Sequence, residues 1–183
     1  MKQGDNLVIH CKDKWQNFEL ERLPRLRFER DWVGKAPLPT TEFVLAAEDG
    51  LLHFLFWCHQ KPFYDPAERD NLWHYDVAEL FFSHNEIAGY GEINLAPSGA
   101  LWWQTFSHVR SKGVGGPSWF IFEKAQNRAQ VYSDQWSLHF ELALREPITE
   151  ELCLNVTAIV HHQGERQYLT WLNLAALEPD FHR

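Results

Sequence analysis

Apolar and polar residues alternate along most of this chain, with turn-forming residues between the alternating runs. A period of two residues is typical of β-strands with one buried face, and no long window follows the 3.6-residue period of a helix. Short helical turns are predicted only at Asp65–Asp70 and around Ile148–Leu152. We therefore expect an all-β fold, a two-sheet antiparallel β-sandwich with few or no helices. The predicted strands are Leu7–Cys11, Glu42–Ala47, Leu51–His59, Val77–Phe82, Tyr90–Leu95, Leu101–Thr105, Ala129–Tyr132, Trp136–Leu144, Leu152–His161 and Gln167–Trp171.

The same alternation predicts which residues share a face of a strand. Glu79 shares a face with Val77 and Phe81, and Glu92 shares a face with Asn94. Carboxylates beside aromatic rings on one sheet face indicate a surface for a small molecule more than a core. If the strands lie in one sheet, their polar faces together supply Glu79, Glu92, Asn94, His139, Glu141, Asn155 and Thr157.

The length and charge of the chain indicate how many domains it has and which partners are disfavoured. A chain of 183 residues with 45% hydrophobic residues predicts one folded domain over residues 1–183. The chain has 17 basic and 25 acidic residues, for a formal charge of −8. This balance disfavours nucleic acids and anionic membranes as partners, because phosphate groups are bound by local positive charge.

Aromatic content is high, with nine Trp, thirteen Phe and five Tyr. Some of these rings are expected on a binding surface, since tryptophan is rarely buried completely; a Trp-rich β-core is the alternative. Cys11, Cys58 and Cys153 are far apart, which favours buried thiols in a reducing compartment. The chain has no apolar run of signal-peptide or membrane-spanning length, so we expect a cytoplasmic protein. A homodimer is an alternative to the monomer.

Four sequence pieces resemble the DOMON-like, family 9 carbohydrate-binding-module superfamily, and in particular its small bacterial DOMON-like proteins. In chain order these pieces are Leu72-Trp73 with Asp76–Phe81, Tyr90–Gly99, Tyr168–Trp171, and Pro179–His182. The resemblance spans about 110 residues and rests on the order and spacing of the pieces. It implies a β-sandwich with a ligand site on one sheet or at its rim.

The resemblance also implies roles for particular residues. Sugar-binding members hold a sugar between two aromatic rings and bind its hydroxyl groups with polar side chains. By this resemblance Trp73 is the first stacking ring, Glu79 binds hydroxyl groups, and Phe181 is the approximate match for the second ring. The full set of predicted ligand-binding residues is Trp73, Glu79, Glu92, Asn94, Trp103, Arg110, Thr157, Trp171 and Phe181.

The function predicted from these residues is non-catalytic binding of a small polar ligand, with a carbohydrate as the preferred class. The alternatives are a glycoside hydrolase using Glu79 and Glu92, or a domain that binds a protein or haem. We expect no cofactor and no metal ion, because no H-x-H or H-E-x-x-H spacing occurs. A calcium site is an alternative. Haem is disfavoured, because the only methionine that could bind its iron is Met1.

Overall fold

Two β-sheets pack face to face in the structure, a computed structural model that describes residues 9–48, 50–84, 87–108, 122–144 and 152–172. In chain order the elements are β1 His10–Cys11, α1 Asn17–Leu20, β2 Leu26–Arg27, β3 Thr41–Glu48, β4 Leu51–Cys58, a 3-10 turn Leu72–His74, β5 Val77–His84, β6 Ile87–Leu95, β7 Leu101–Phe106, β8 Phe122–Val131, β9 Trp136–Leu144, β10 Leu152–His162 and β11 Glu165–Thr170. The six-stranded sheet has the order β1-β3-β4-β9-β8, with β2 beside β3. The five-stranded sheet has the order β11-β10-β5-β6-β7.

The predicted two-sheet antiparallel β-sandwich is confirmed. Of the strand pairs in the described residues, only β1–β3 is parallel. The sequence pattern missed α1, β2 and the 3-10 turn, because elements of two to four residues are too short to show a period. Asp65–Asp70 contains a turn and no helix, and residues 148–151 lie outside the described part of the chain.

The core lies between the sheets and is built from the apolar stripes that the alternation predicted. Phe43, Phe54 and Phe140 of the six-stranded sheet face Leu80 and Phe82 of the other sheet, and all five are buried. The space between the two sheets therefore contains apolar side chains and excludes water. Hydrophobic burial in this core provides the main stabilisation of the fold.

The cysteines only partly follow the expectation of buried thiols. Cys58 is buried in the core, where burial raises the pKa of its thiol to about 12. Cys11 and Cys153 are exposed, so the expectation was wrong for these two. Separately, no helix in the described residues is long and apolar enough to cross a membrane.

Candidate functional site

A row of polar side chains crosses the outer face of the five-stranded sheet, the face turned away from the core. Thr157 of β10 lies opposite Thr170 of β11 on one side and Glu79 of β5 on the other. Glu79 lies opposite Asn94 of β6, and Asn94 lies opposite Trp102 of β7. Directly opposite residues share a sheet face. The four polar residues, here called the polar row, therefore lead across the sheet to an indole ring.

A second line of residues runs beside the polar row on the same face. Asn155 lies opposite Phe81, Phe81 lies opposite Glu92, and Glu92 lies opposite Gln104. This register sets Glu92 diagonal to Glu79 on adjacent strands, so both carboxyl groups lie on one face, as the alternation predicted.

The two carboxyl groups are buried and hydrogen-bonded. Glu79 is 2% exposed, and its Oε2 accepts a hydrogen bond of 2.7 Å from Thr157 Oγ1. Glu92 is 5% exposed, and its Oε1 accepts a hydrogen bond of 3.0 Å from Asn94 Nδ2. No described residue donates a hydrogen bond to the buried Asn94 Oδ1. That oxygen is an acceptor in the middle of the face, and a buried polar atom normally has a partner.

Glu79 has a strongly perturbed pKa. Burial is the largest cause and the charge of Glu92 adds to it, so the pKa of Glu79 rises to about 8. The hydrogen bond from Thr157 and the charge of Arg166 lower the same pKa but do not outweigh burial. At neutral pH Glu79 is therefore mostly protonated, and its carboxyl group can both donate and accept hydrogen bonds.

Aromatic rings border the buried polar groups. The 3-10 turn places Trp73 against Trp102, with ring centroids 5.6 Å apart and ring planes at 74°. Both rings are half-buried, as are those of Trp32 and Tyr168 in the same apolar cluster. The face thus combines aromatic rings at its border with buried polar groups beside them.

Arg166 connects the rim to the polar row. Its Nη2 donates a hydrogen bond to the backbone oxygen of Trp73, and its guanidinium group lies 4.9 Å from the ring centroid of Tyr168. Its charge also reaches Glu79, whose pKa it lowers. Arg166 is exposed, so its positive charge lies at the solvent side of the face. Its hydrogen bond to Trp73 holds the 3-10 turn in place.

Asp76 holds the segment that carries Trp73 against β10. This carboxyl group is fully buried and accepts hydrogen bonds from the backbone N–H of Phe63 at 3.0 Å and that of His161 at 2.7 Å. His161 Nδ1 lies 3.0 Å from the same carboxyl oxygen, Oδ1, as the backbone N–H of His161. Burial raises the pKa of Asp76, and these contacts oppose the rise. The 3-10 turn is therefore anchored a few residues beyond Trp73.

The structure brings together five of the predicted site residues, Trp73, Glu79, Glu92, Asn94 and Thr157, on this outer face. The other predictions do not join them. Trp171 is fully buried in the core between the sheets, and Trp103 lies opposite the core residue Ile93 and is 43% exposed. These two indoles face away from the polar row, because alternation turns them to the other side of their sheet. Arg110 and Phe181 lie outside the described residues.

The expectation that His139 and Glu141 share a face with the two buried acids was wrong. Both belong to β9 in the six-stranded sheet, on the opposite side of the sandwich. Alternation gives the face of a residue within its strand, but it does not say to which sheet the strand belongs.

Trp102 and Arg166 are the site residues that sequence reasoning missed. The β6–β7 hairpin contains a signal for Trp102, since the loop Ala96–Ala100 closes with a hydrogen bond of 3.0 Å from the N–H of Ala96 to the oxygen of Ala100. Within that loop Gly99 has φ +81°, a conformation that favours glycine. Counting outward from this closure pairs Asn94 with Trp102. No comparable local signal exists for Arg166.

Several solved protein structures have a fold similar to this one. A proposed carbohydrate-binding protein from Bacteroides uniformis ATCC 8492 matches with a TM-score of 0.66 at 11% identity, over 91% of this chain and 84% of that one. A family 9 carbohydrate-binding module from Caldicellulosiruptor kristjanssonii, in complex with glucose, matches with a TM-score of 0.61 at 12% identity, over 94% and 85% of the two chains. Its complex with cellotriose matches with a TM-score of 0.61 at 11% identity, over 94% and 83%.

These similarities show that the chain has a fold like that of family 9 carbohydrate-binding modules. At such low identity they show the fold alone, because one fold supports many functions. No protein-family model matches the sequence, and no curated protein matches it. The sandwich implied by the resemblance is thus confirmed, whereas the assignment to the DOMON-like subgroup stays a prediction.

Proposed function

We propose that the outer face of the five-stranded sheet is a non-catalytic carbohydrate-binding site. The observation that carries this proposal is the polar row bordered by the rings of Trp73 and Trp102. Buried polar side chains on a sheet face that is turned away from the core need an explanation, since an ordinary outer face exposes its polar groups to water. The protein itself buries these groups, so the proposal requires that the residues covering the polar row move aside when a sugar binds.

A sugar matches the chemistry of this face. Its C–H surfaces pack on aromatic rings, and each hydroxyl group both donates and accepts hydrogen bonds. The protonated Glu79 and the oxygen of Asn94 offer complementary groups, and Arg166 adds donors at the rim. We propose Trp73, Glu79, Glu92, Asn94 and Thr157 as contact residues, and we add Trp102.

The structural neighbours support this class of ligand. The family 9 modules of the same fold are described in complex with glucose and with cellotriose. Glucose and short gluco-oligosaccharides are therefore the first ligands to test. Phe181 keeps the role that the resemblance implies for it, a second stacking ring, and Arg110 is the candidate contact at the rim of the site; both roles stay predictions.

Replacing Trp102 with alanine is expected to weaken sugar binding by about 30-fold or more, because loss of a central aromatic contact commonly costs about 2 kcal/mol. Trp73→Ala should have an effect of similar size. Isothermal titration calorimetry against glucose, cellobiose and cellotriose measures both. A wider glycan array comes first if none of the three binds.

Trp103→Ala is the matched control for Trp102→Ala. The two indoles are neighbours on β7, but Trp103 faces the other side of the sheet. Its removal should leave sugar affinity unchanged within a factor of about two. Equal losses in both variants, or no loss in Trp102→Ala and Trp73→Ala, would contradict a binding site on this face.

A second function, glycoside hydrolysis, is favoured by one observation. Glu79 has a pKa of about 8 and lies near a second carboxyl group, and an acid that is protonated at neutral pH can protonate a leaving group. We expect no turnover of aryl glycosides by the unaltered protein. Turnover that Glu79→Gln abolishes would replace the binding proposal with a catalytic one.

A further inference from the structure

The outer face of the six-stranded sheet, on the far side of the sandwich, carries a separate group of ligating side chains. His53, His139 and Glu141, here called the histidine cluster, have potential ligand atoms that all lie within 4.8 Å of one another. The register of β4 against β9 produces the cluster, because His53 lies directly opposite Glu141, and His139 precedes Glu141 by two residues on the same face. The polar row of the other sheet plays no part in it.

The distances within the histidine cluster suit a small divalent ion. His53 Nδ1 lies 3.2 Å from His139 Nε2, and Glu141 Oε1 lies 3.8 Å from His139 Nε2. In a tetrahedral zinc site with metal–nitrogen bonds of about 2.05 Å, neighbouring ligand atoms are about 3.3 Å apart. The two nitrogen atoms already have nearly this separation. Other separations in the cluster extend to 4.8 Å, so Glu141 must move toward the two nitrogen atoms for an ion to bind.

The other nitrogen of His53 is a buried polar atom whose hydrogen-bonding capacity is unused. His53 is 4% exposed, and its Nε2 makes no hydrogen bond with any described residue. The nearest carboxylate oxygen, Glu48 Oε1, is 3.5 Å away. The other oxygen of Glu48 accepts a hydrogen bond from the backbone N–H of Trp15, which holds this carboxylate in place. A metal-bound histidine usually directs its second N–H at such a carboxylate.

Access also suits a metal ion. His139 lines a groove of about 180 Å³, together with Arg128 and Trp57, so a fourth ligand such as water can reach this face. Arg128 lies 3.5 Å from Glu141 and competes with an ion for that carboxylate.

We propose that His53, His139 and Glu141 bind one divalent transition-metal ion of the Zn²⁺ type, with Glu48 orienting His53. Two imidazoles and one carboxylate form a ligand set that zinc uses, and an open position remains. The ion would join β4 to β9 on the outer face. The competing interpretation is a hydrogen-bonded histidine pair beside an ion pair, with no affinity for metal.

Titration of the untagged, chelator-treated protein with Zn²⁺ tests the proposal by calorimetry, and Co²⁺ serves as a spectroscopic probe. We expect one ion per chain and visible absorption bands of four-coordinate Co²⁺. His139→Gln and Glu141→Gln should each weaken Zn²⁺ binding at least about tenfold, and Glu48→Gln by about 10- to 100-fold. Arg128→Gln should strengthen binding, because it removes the competing cation. Circular dichroism establishes that each variant is folded.

His59→Gln is the control, since His59 directly follows β4, is 41% exposed, and pairs with Glu42 away from the histidine cluster. It should bind Zn²⁺ as the unaltered protein does. The partly exposed positions 139 and 141 keep the test valid even if a change at the buried His53 prevents folding. No binding at about 1 mM Zn²⁺, or equal binding by folded His139→Gln and Glu141→Gln, would overturn the proposal.

Discussion

Replacing Trp171 with alanine is expected to lower the free energy of unfolding by about 3–5 kcal/mol, the usual cost of removing a large buried aromatic side chain. Trp171 is fully buried between the sheets, where its ring meets Phe43 edge to face at a centroid distance of 5.3 Å. The cavity left behind would lie in the core, which can relax only in part. Urea unfolding at fixed pH, followed by circular dichroism, measures the change.

Two further variants separate a core role of Trp171 from a role in ligand binding. Trp103→Ala removes a partly exposed indole at the sheet edge and should cost less than about 1 kcal/mol. Trp171→Phe keeps an aromatic ring in the core and should fold with unchanged sugar affinity. A folded Trp171→Phe protein that no longer bound sugar would return Trp171 to the binding site.

Glu79→Gln is expected to make the stability of the protein much less sensitive to alkaline pH. The pKa of Glu79 is about 8 in the folded protein, against an ordinary value of 4.5. Between these values the folded state holds a proton that the unfolded state has lost, so stability falls as pH rises and the loss is complete above pH 8. At about 1.4 kcal/mol for each pKa unit, the loss reaches at most about 5 kcal/mol. Glutamine stays neutral and avoids it.

Unfolding free energies at intervals from pH 5 to pH 9 test this expectation. The Glu79→Gln profile should be flatter than that of the unaltered protein, and the gap between them should widen up to about pH 8 and then level off. Glu68→Gln is the control, because backbone hydrogen bonds hold the pKa of the partly exposed Glu68 below its ordinary value, whereas burial raises that of Glu79. Parallel profiles for Glu79→Gln and the unaltered protein would show that burial does not hold Glu79 in its protonated form.

The fold was predictable because each long strand carries its own alternation. Trp136–Leu144 was predicted with the bounds that the structure has, and Glu79 and Glu92 were assigned to the correct faces. The bounds of a strand and the face of each residue follow from which side of the strand is buried, and the strand's own residues show this. Features that depend on partners distant in sequence were not predictable in this way. The separation of Glu141 from Glu79 onto different sheets is one such feature.

The tryptophans show the same limit within the candidate site. A ring can stabilise a core or contact a ligand, and composition does not distinguish these roles. Trp171 and Trp103 were predicted as ligand-binding residues, yet one lies in the core and the other faces away from the polar row. Trp102, one residue from Trp103, borders that row. Only the pairing of β6 with β7 distinguishes the two neighbours. The surroundings of Glu79 likewise include β10, which is distant from β5 in sequence.

Because the two sheets lie back to back, their outer surfaces point in opposite directions and are separated by a core about 10 Å thick. A ligand seated on Trp102 and one seated on His139 can therefore occupy a single molecule together without touching. Sites separated in this way are expected to act independently. A molecule attached through one surface, for example to a solid polysaccharide, would still present the other surface to the solution.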